Sequence, residues 1–314
     1  MTRETALAFV PFSRGLPGFE PRHIAWLREN ATMFDWIECR TREEFLEHLP
    51  RASAVISWVF QPEWQDIAPK LRFIGTPSAG RDLVVTRPDP DLTVTYSAFH
   101  GPLMAETVLG MMLAFLRGIK ECVEHPGEVW PRAEVGERVR HLRGSHVAIL
   151  GFGHIGKWVG KLIKSFGVRL TGVNRSNLER PEYFQADDRV VGLDALDEIL
   201  PEADHLIMVL PSDSGTDNII GARRLALLRP DAYIYNIGRG NALDLPALVE
   251  ALKAGRLAGA GLDVFPQEPL PADSPIIGCP RVIRLPHVSA FGPLYMDLYL
   301  EELLPKLEGK FGRH

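Results

Sequence analysis

Short runs of apolar, often β-branched residues alternate with longer amphipathic runs along most of the chain. In the first hundred residues, this pattern predicts strands at 6–10, 54–58, 72–74 and 93–96. Helices are predicted between them, at 21–30 and 42–48. Strands that alternate with helices are typical of parallel sheets, in which a crossover helix joins each strand to the next.

A long apolar run covers residues 104–119, and its only charged residues are Glu106 and Arg117. It predicts a buried helix that could join two domains. A second α/β series follows, with strands predicted at 146–150, 169–173, 205–210, 232–237, 258–264 and 282–285. Helices are predicted at 157–166 and 246–254, and Gly255 suits a left-handed cap at the end of the latter. The last amphipathic run, 294–307, is expected to be interrupted near its end by Pro305.

Composition narrows the function classes. The chain has 314 residues, 46% of them hydrophobic and 24% charged, which suits about two globular domains. A net charge of −5 gives no sign of a nucleic-acid-binding face. Cys39, Cys122 and Cys279 are far apart, so we predict buried thiols and no metal site. With no leader pattern and no apolar stretch long enough to span a bilayer, we expect a cytoplasmic protein without a membrane partner.

A glycine-rich turn joins the apolar strand 147–150 to the helix that starts near Lys157. Gly151, Gly153 and Gly156 have the spacing of a dinucleotide-binding turn, in which the glycines permit a tight turn, close approach of a pyrophosphate and close helix packing. The following helix N-terminus favours an anion. The residues predicted to bind the cofactor here are Gly151, Phe152, Gly153, His154, Ile155 and Gly156. The imidazole of His154 is expected to face solvent.

The end of the second strand of this series suggests which dinucleotide binds. Asn174 stands where a carboxylate usually holds the adenosine 2′-hydroxyl, and Arg175 and Ser176 follow it. A carboxylate would repel a 2′-phosphate, whereas arginine attracts one. We therefore predict a preference for NADP(H), with NAD(H) possible. The alternative is that Arg175 is only a surface charge.

Polar residues follow three later strands of the same series. They are Arg239 in Asn-Ile-Gly-Arg-Gly, Glu268 in a proline-bounded loop, and His287 just after the last strand. The carboxyl ends of parallel strands share one edge of a sheet, so these side chains can form one site. Arginine fits the carboxylate and carbonyl of a 2-oxo acid, histidine transfers protons near neutral pH, and glutamate favours the imidazolium. Taken singly, each has an equal alternative: Arg239 as a surface charge, Glu268 as a solvated loop carboxylate and His287 as a polar residue with satisfied hydrogen bonds.

The segments GFGHIGK, NIGRG, LDVFPQEP and PHVSA occur in this order, and through them the chain resembles the D-isomer-specific 2-hydroxyacid dehydrogenase family over nearly its whole length. The resemblance implies that Arg239 binds substrate, Glu268 assists the histidine and His287 is the catalytic acid/base. It also implies cofactor contacts along the later loops, with Asp263 near the nicotinamide amide. The residues concerned are Leu210, Pro211, Thr216, Ile237, Gly238, Arg239 and Asp263.

The resemblance further implies an α/β fold of two domains, each a parallel, doubly wound sheet of Rossmann or flavodoxin-like type. The substrate domain is expected to be discontinuous, formed by residues 1–100 and 288–314. The NAD(P)-binding Rossmann domain, residues 101–287, is inserted into it, and the cleft between them closes on substrate. The helix at 104–119 matches the family's interdomain and dimer helix, so a homodimer is expected.

Substrate contacts are predicted at Ala79 and Gly80, in a loop that matches the family's carboxylate-binding loop. Trp58 falls where related glyoxylate/hydroxypyruvate reductases place a tryptophan by the substrate, although a core tryptophan is an equal alternative. Together these features predict reduction of a small 2-oxo acid, glyoxylate or hydroxypyruvate, to the D-2-hydroxy acid. Phosphite or other 2-hydroxyacid oxidation and a non-catalytic, nucleotide-sensing dimeric protein remain alternatives. Formate oxidation is disfavoured, because its enzymes pair the histidine with glutamine rather than with a glutamate such as Glu268.

Overall fold

The computed structural model describes residues 3–11, 15–124 and 130–312. Packing divides the chain into two compact units, one formed by residues 1–100 and 291–314 and the other by residues 101–290. The predicted boundary after residue 287 falls slightly before this division. In the part of the chain that is described, none of the helices combines the length and the apolar character needed to cross a bilayer.

The secondary structure follows an alternating order through both units. The strands are β1 (Glu4–Phe9), β2 (Phe34–Glu38), β3 (Ala52–Ser57), β4 (Phe73–Gly75), β5 (Thr93–Thr95), β6 (His146–Leu150), β7 (Arg169–Val173), β8 (Arg189–Val191), β9 (His205–Met208), β10 (Tyr233–Asn236), β11 (Gly259–Leu262) and β12 (Val282–Arg284). The α-helices are α1 (Pro21–Asn30), α2 (Arg42–His48), α3 (His100–Leu116), α4 (Ile119–Glu124), α5 (Arg132–Arg138), α6 (His154–Lys164), α7 (Leu196–Ile199), α8 (Ala222–Leu225), α9 (Leu245–Lys253) and α10 (Tyr295–Phe311).

The first unit contains a five-stranded parallel sheet in the order β2-β1-β3-β4-β5. This is the flavodoxin-like order of doubly wound sheets. Its central strand β3 is buried along its whole length, as expected of a strand covered on both faces. The sequence analysis did not predict β2, an edge strand in which buried Phe34 and Trp36 flank exposed Asp35.

The second unit contains a seven-stranded parallel sheet in the order β12-β11-β10-β9-β6-β7-β8. Starting from β6, the chain runs outward to β8 on one side and then returns to build β9 to β12 on the other. This is the Rossmann order, and its switch point lies at β6 and β9, where doubly wound sheets bind dinucleotides outside the carboxyl ends of the strands. The prediction of an α/β fold with two parallel sheets is confirmed.

Helix α3 is the long apolar helix, but its predicted end was wrong. It finishes at Leu116, because Gly118 adopts a left-handed backbone with φ of +68°, and Ile119 begins the separate helix α4 with an exposed side chain. The helix lies close to β11, where a Cβ on Gly261 would be 2.8 Å from the sulfur of Met111. Glycine in β11 therefore allows the helix to pack directly on the sheet.

The two predictions about helix ends had opposite outcomes. Gly255 caps α9 as predicted, with φ of +67° and the next residue, Arg256, donating its N–H to the Ala251 carbonyl at 2.9 Å. The prediction that Pro305 interrupts the last helix was wrong, because α10 continues through Pro305 to Phe311. Proline removes one intrahelical hydrogen bond, but Leu303 and Leu307 on either side are buried, and their packing holds the helix together.

Candidate active site

The glycine-rich turn follows β6 and has the shape that a dinucleotide requires. Gly151 has φ of +92°, and a Cβ there would be 2.4 Å from the carbonyl oxygen of Val209 on the neighbouring loop. At Gly153, by contrast, no atom of the described residues lies within 4 Å of the position of a Cβ. Helix α6 begins at His154, and the first turn of a helix leaves its N–H groups without intrahelical partners. The residues present thus fit a pyrophosphate at this turn.

The two ring-bearing side chains of the turn, Phe152 and His154, point in different directions. Phe152 is fully buried, and its ring lies so close to β7 that a Cβ on Gly172 would be 2.4 Å from it. His154 is exposed, as predicted. Phe152 can therefore meet a cofactor only through its backbone.

The ribose end of the predicted nucleotide site lies at the end of β7. The side-chain amide of Asn174 donates to the Phe152 carbonyl at 3.0 Å and so ties the glycine turn to β7. Arg175 is 71% exposed at its side chain, and its Nη2 lies 3.6 Å from Oδ2 of Asp213. Ser176 is exposed beside it. The sequence analysis missed Asp213, because nothing local indicates that the loop after β9 reaches Arg175.

That loop, which begins at Leu210 and Pro211, is closed by Thr216. The Thr216 hydroxyl lies 2.7 Å from the Asp213 carbonyl and 2.9 Å from the Pro211 carbonyl, and it accepts the N–H of Asp213 at 3.1 Å. Thr216 is buried. Its side chain thus shapes the loop, and its predicted cofactor contact remains a prediction.

The turn that carries Arg239 is shaped by Asn236, the last residue of β10. The buried Asn236 side chain donates to the Arg239 carbonyl at 3.0 Å and accepts the N–H of Gly238 at 3.1 Å. The flanking glycine is required, because a Cβ on Gly240 would lie 1.9 Å from the carbonyl carbon of Phe265. Ile237, two residues before Arg239, is buried, so the backbone that carries the arginine is held in place.

Asp263, just after β11, holds the turn that carries His287. The carboxylate is fully buried, with Oδ1 accepting the N–H of Val288 at 2.8 Å and Oδ2 accepting that of Ser289 at 3.0 Å. The Asp263 carbonyl also accepts the His287 N–H at 2.8 Å. His287 has φ of +57°, a left-handed conformation that is uncommon outside glycine. Both carboxylate oxygens are therefore bonded to the backbone of this turn, and the predicted contact with a nicotinamide amide stays a prediction.

His287 and Glu268 form the charged centre of the site. Nδ1 of His287 lies 2.7 Å from Oε2 of Glu268, whose Oε1 accepts the N–H of Phe265 at 2.9 Å. This hydrogen bond raises the pKa of His287, although burial and the charge of Arg239 oppose it. Burial raises the pKa of Glu268, but hydrogen bonds from His287 and from the Phe265 N–H hold it below its usual value. The arrangement therefore favours an imidazolium with its Nδ1–H directed to a carboxylate.

Arg239, Glu268 and His287 follow β10, β11 and β12, which are neighbours in the sheet. The glycine turn after β6 opens at the same edge, because all strands of this sheet are parallel. The second unit thus brings together a nucleotide-binding turn and a histidine–glutamate pair within the electrostatic influence of an arginine.

The predicted substrate residues of the first unit show a different picture. Trp58 is buried, and its indole N–H donates to the Pro17 carbonyl at 3.1 Å, which fits the alternative of a core tryptophan. In the predicted carboxylate-binding loop, the Gly80 N–H donates to the hydroxyl of Ser78 at 3.0 Å. The structure therefore gives the Gly80 N–H an acceptor within its own loop.

Comparison with known proteins shows which family the chain matches. The family model described as D-isomer specific 2-hydroxyacid dehydrogenase, NAD binding domain, matches residues 109–289. The match covers more than half of the chain. A glyoxylate/hydroxypyruvate reductase B of Pectobacterium atrosepticum is 37% identical over an alignment of 240 residues, which covers 71% of this chain and 70% of that protein. A glyoxylate reductase of Thermococcus gammatolerans is 32% identical over an alignment of 287 residues, which covers 85% of this chain and 83% of that protein.

A solved structure extends the likeness to the whole fold. It is a D-isomer specific 2-hydroxyacid dehydrogenase family protein from Aeromonas salmonicida, 30% identical, with a TM-score of 0.79 over 100% of this chain and 97% of that chain. The chain belongs to the D-isomer specific 2-hydroxyacid dehydrogenase family and is an oxidoreductase of this class that uses a nicotinamide cofactor.

Proposed function

We propose that the chain reduces a small 2-oxo acid, glyoxylate or hydroxypyruvate, to the D-2-hydroxy acid with NADPH as the preferred reductant. The observation that carries the proposal is the 2.7 Å contact between His287 Nδ1 and Glu268, at the same sheet edge as the glycine turn and Arg239. A histidine held as the imidazolium is the proton donor that reduction of a carbonyl needs.

Arg239 binds the substrate in this proposal. Its guanidinium presents planar, paired donors that suit the carboxylate and the adjacent carbonyl oxygen of a 2-oxo acid. The turn that carries it is fixed through the buried Asn236, so little of its backbone freedom is lost when substrate binds.

His287 protonates the carbonyl oxygen as the reaction proceeds. Its Nδ1–H is bound by Glu268, which leaves Nε2 as the atom that gives up a proton. The Glu268 carboxylate stabilises the imidazolium before the transfer and holds the ring in place throughout. When bound, the nicotinamide supplies the hydride that is added to the keto carbon.

The preference for NADP(H) rests on the end of β7. Asn174 places an amide where a carboxylate would repel a 2′-phosphate, and Arg175 presents an exposed guanidinium next to it. NAD(H) is accepted less well, because its 2′-hydroxyl gains nothing from the arginine charge.

The choice of substrate is supported by the curated relatives. The Pectobacterium protein is named for glyoxylate and hydroxypyruvate, and the Thermococcus protein for glyoxylate. Trp58, Ala79 and Gly80 are proposed as further substrate contacts. For Gly80, the N–H would have to exchange its bond to the Ser78 hydroxyl for one to the substrate carboxylate.

A homodimer is part of the proposal. Apolar side chains are exposed in the segment after α3, with Val123 at 72% and Trp130 at 80%. We propose that a second copy of the chain covers these side chains, since extended exposed apolar patches mark protein–protein contact surfaces. Sedimentation analysis should give twice the mass of the 314-residue chain, and a monomer would contradict this part.

The test of the proposed function is a kinetic panel of 2-oxo acids, each with NADPH and NADH. We expect the highest kcat/KM for glyoxylate or hydroxypyruvate with NADPH. Phosphite and D-2-hydroxy acids with NADP⁺ complete the panel and test the oxidative alternatives. Absence of turnover across the panel, with nucleotide binding retained, would overturn the proposal and indicate a nucleotide-sensing protein.

A further inference from the structure

Two charged residues flank the glycine turn. In the sheet, β6 lies between β7 and β9, so the loops that follow β7 and β9 lie on either side of the turn. Arg175 comes from the first of these loops and Asp213 from the second, and Arg175 Nη2 lies 3.6 Å from Asp213 Oδ2. The arginine that suits a 2′-phosphate therefore has a carboxylate beside it.

The carboxylate is the fixed member of this pair. Oδ1 of Asp213 accepts the N–H of Gly215 at 2.8 Å, and the Asp213 carbonyl accepts the N–H of Thr216 at 2.9 Å. Because Thr216 is buried, this loop is anchored to the protein interior. Arg175 has a long, largely exposed side chain, so it can move toward a ligand while the carboxylate keeps its place.

The charge balance at this position separates the two nucleotides. A 2′-phosphate carries close to two negative charges at neutral pH. A phosphate that pairs with Arg175 enters the field of the Asp213 carboxylate, which repels it. The 2′-hydroxyl of NAD(H) is neutral and can donate to a carboxylate. Lys157 and Glu179, which also lie in the β6–β8 region, pair with each other at 3.8 Å and together add no net charge.

We propose that Asp213 is a specificity-determining residue for the nucleotide, whose carboxylate offsets Arg175 and limits the preference for NADP(H) over NAD(H). This inference deepens the proposed cofactor preference and rests on the proposed function only in that the ligand is NAD(P)(H). It gives a role to the Asp213 carboxylate, which lies beside Arg175 in a site where position 174 lacks the usual carboxylate.

The experiment is Asp213→Asn, since asparagine keeps an acceptor for the Gly215 N–H while removing the charge. Affinities for NADPH and NADH are measured by the fluorescence of the bound reduced nicotinamide, without any 2-oxo acid present. Adenosine 2′,5′-bisphosphate and AMP serve as a second pair of probes that differ only in the 2′-phosphate. We expect the Kd of NADPH and of the bisphosphate to fall roughly two- to fivefold at low salt. The Kd of NADH and of AMP should be unchanged or slightly higher, and the gain should shrink at high salt.

The matched control is Asp187→Asn, which removes the same charge from an exposed position in the same unit. An equal change for all four ligands, or the same gain in the control, would overturn the inference. Nucleotide binding is measured without substrate, so it is independent of turnover. Absence of 2-oxo acid turnover would overturn the proposed function but would leave the binding result for Asp213→Asn valid. A selective gain in NADPH affinity would support Asp213 whichever substrate the enzyme uses.

Discussion

The two ends of the carboxyl edge of the seven-stranded sheet are built very differently. At the proposed catalytic end, which carries Glu268 and His287, Asp263 is fully buried and both of its carboxylate oxygens accept backbone N–H groups of the histidine turn. At the nucleotide end, Arg175 is largely exposed and faces Asp213 at 3.6 Å. One end is fixed by buried, fully bonded polar groups, and the other by charges in contact with solvent.

This difference implies that substitutions affecting the proposed catalysis and substitutions affecting the choice between NADPH and NADH should have different consequences. A buried acceptor that loses its partners costs about 1–3 kcal/mol, whereas an exposed ion pair contributes about 0–1 kcal/mol. Substitution of the buried carboxylate of Asp263 should therefore affect both stability and rate, whereas substitution of the more exposed His287 should affect rate alone. Substitutions at the nucleotide end should alter the choice of ligand and little else.

The largest effect is expected for His287→Asn. Asparagine tolerates the left-handed backbone at this position but cannot donate the proton. We expect kcat for 2-oxo acid reduction to fall about 10²- to 10⁴-fold, with nucleotide affinity and thermal stability unchanged. A variant that keeps a near wild-type kcat would show that His287 is not the acid.

Asp263→Asn tests whether the buried carboxylate positions the histidine turn. An asparagine amide has only one acceptor oxygen, and its NH₂ group would face the second backbone N–H. One of the bonds to Val288 or Ser289 is therefore lost. We expect kcat to fall about 10- to 100-fold through displacement of His287, together with a Tm lower by several degrees.

The matched control for this substitution is Asp273→Asn, which lies on an exposed loop of the same unit. It should leave kcat and Tm unchanged. If Asp263→Asn instead raises the KM for the nucleotide and leaves kcat intact, Asp263 contacts the cofactor rather than the histidine turn.

Glu268→Gln should change the pH profile. The hydrogen bond to Glu268 raises the pKa of His287 above its ordinary value, so removing the charge lowers that pKa. Reduction requires the imidazolium, and it is lost as pH rises through the pKa of His287. In the variant this loss should begin at lower pH, with kcat at neutral pH about tenfold lower and less affected in acid. An unchanged profile of kcat against pH would contradict the assigned role of Glu268.

The smallest effect is expected for Arg175→Gln at the nucleotide end. The KM for NADPH should rise about three- to tenfold, with the KM for NADH and the Tm unchanged, because the lost interaction is exposed to solvent. Arg180→Gln, which removes an exposed guanidinium from the same segment between β7 and β8, serves as the control. If both variants alter NADPH binding equally, the effect is one of general charge, and Arg175 is no more than a surface residue.

Local patterns in the sequence predicted most of the fold correctly. Both parallel sheets, the Gly255 cap and the glycine turn follow from the spacing of apolar residues and glycines, which act within a few neighbours along the chain. The failures had two causes, namely a strand too short to show a period and packing that overrides local preference. Strand β8, at the edge of the sheet, has only three residues, and three residues are too few for a period to be recognised. Helix α10 passes through Pro305 because buried leucines on both sides stabilise it.

The site shows the same division. Arg239, Glu268 and His287 were predicted because each closely follows a strand, and parallel strands bring their carboxyl ends to one edge. Residues that act by holding others escaped prediction, or were given another role. Asn236 was read only as part of a motif, and Asp263 was assigned to the cofactor, although its side chain bonds the histidine turn. The bonds of Asp263 join residues 25 and 26 positions apart in the chain, so spacing does not reveal them.

The sequence by itself determined the two α/β series, the nucleotide-binding turn and the identities of the charged residues at the strand ends. These depend on local periodicity, on glycine, and on the rule that parallel strands end at a common edge. Only the tertiary structure decided that Asp263 holds His287, that Asn174 ties the glycine turn to β7, and that Asp213 lies beside Arg175. These are contacts between separate loops, and they exist only once the sheet has brought the loops together.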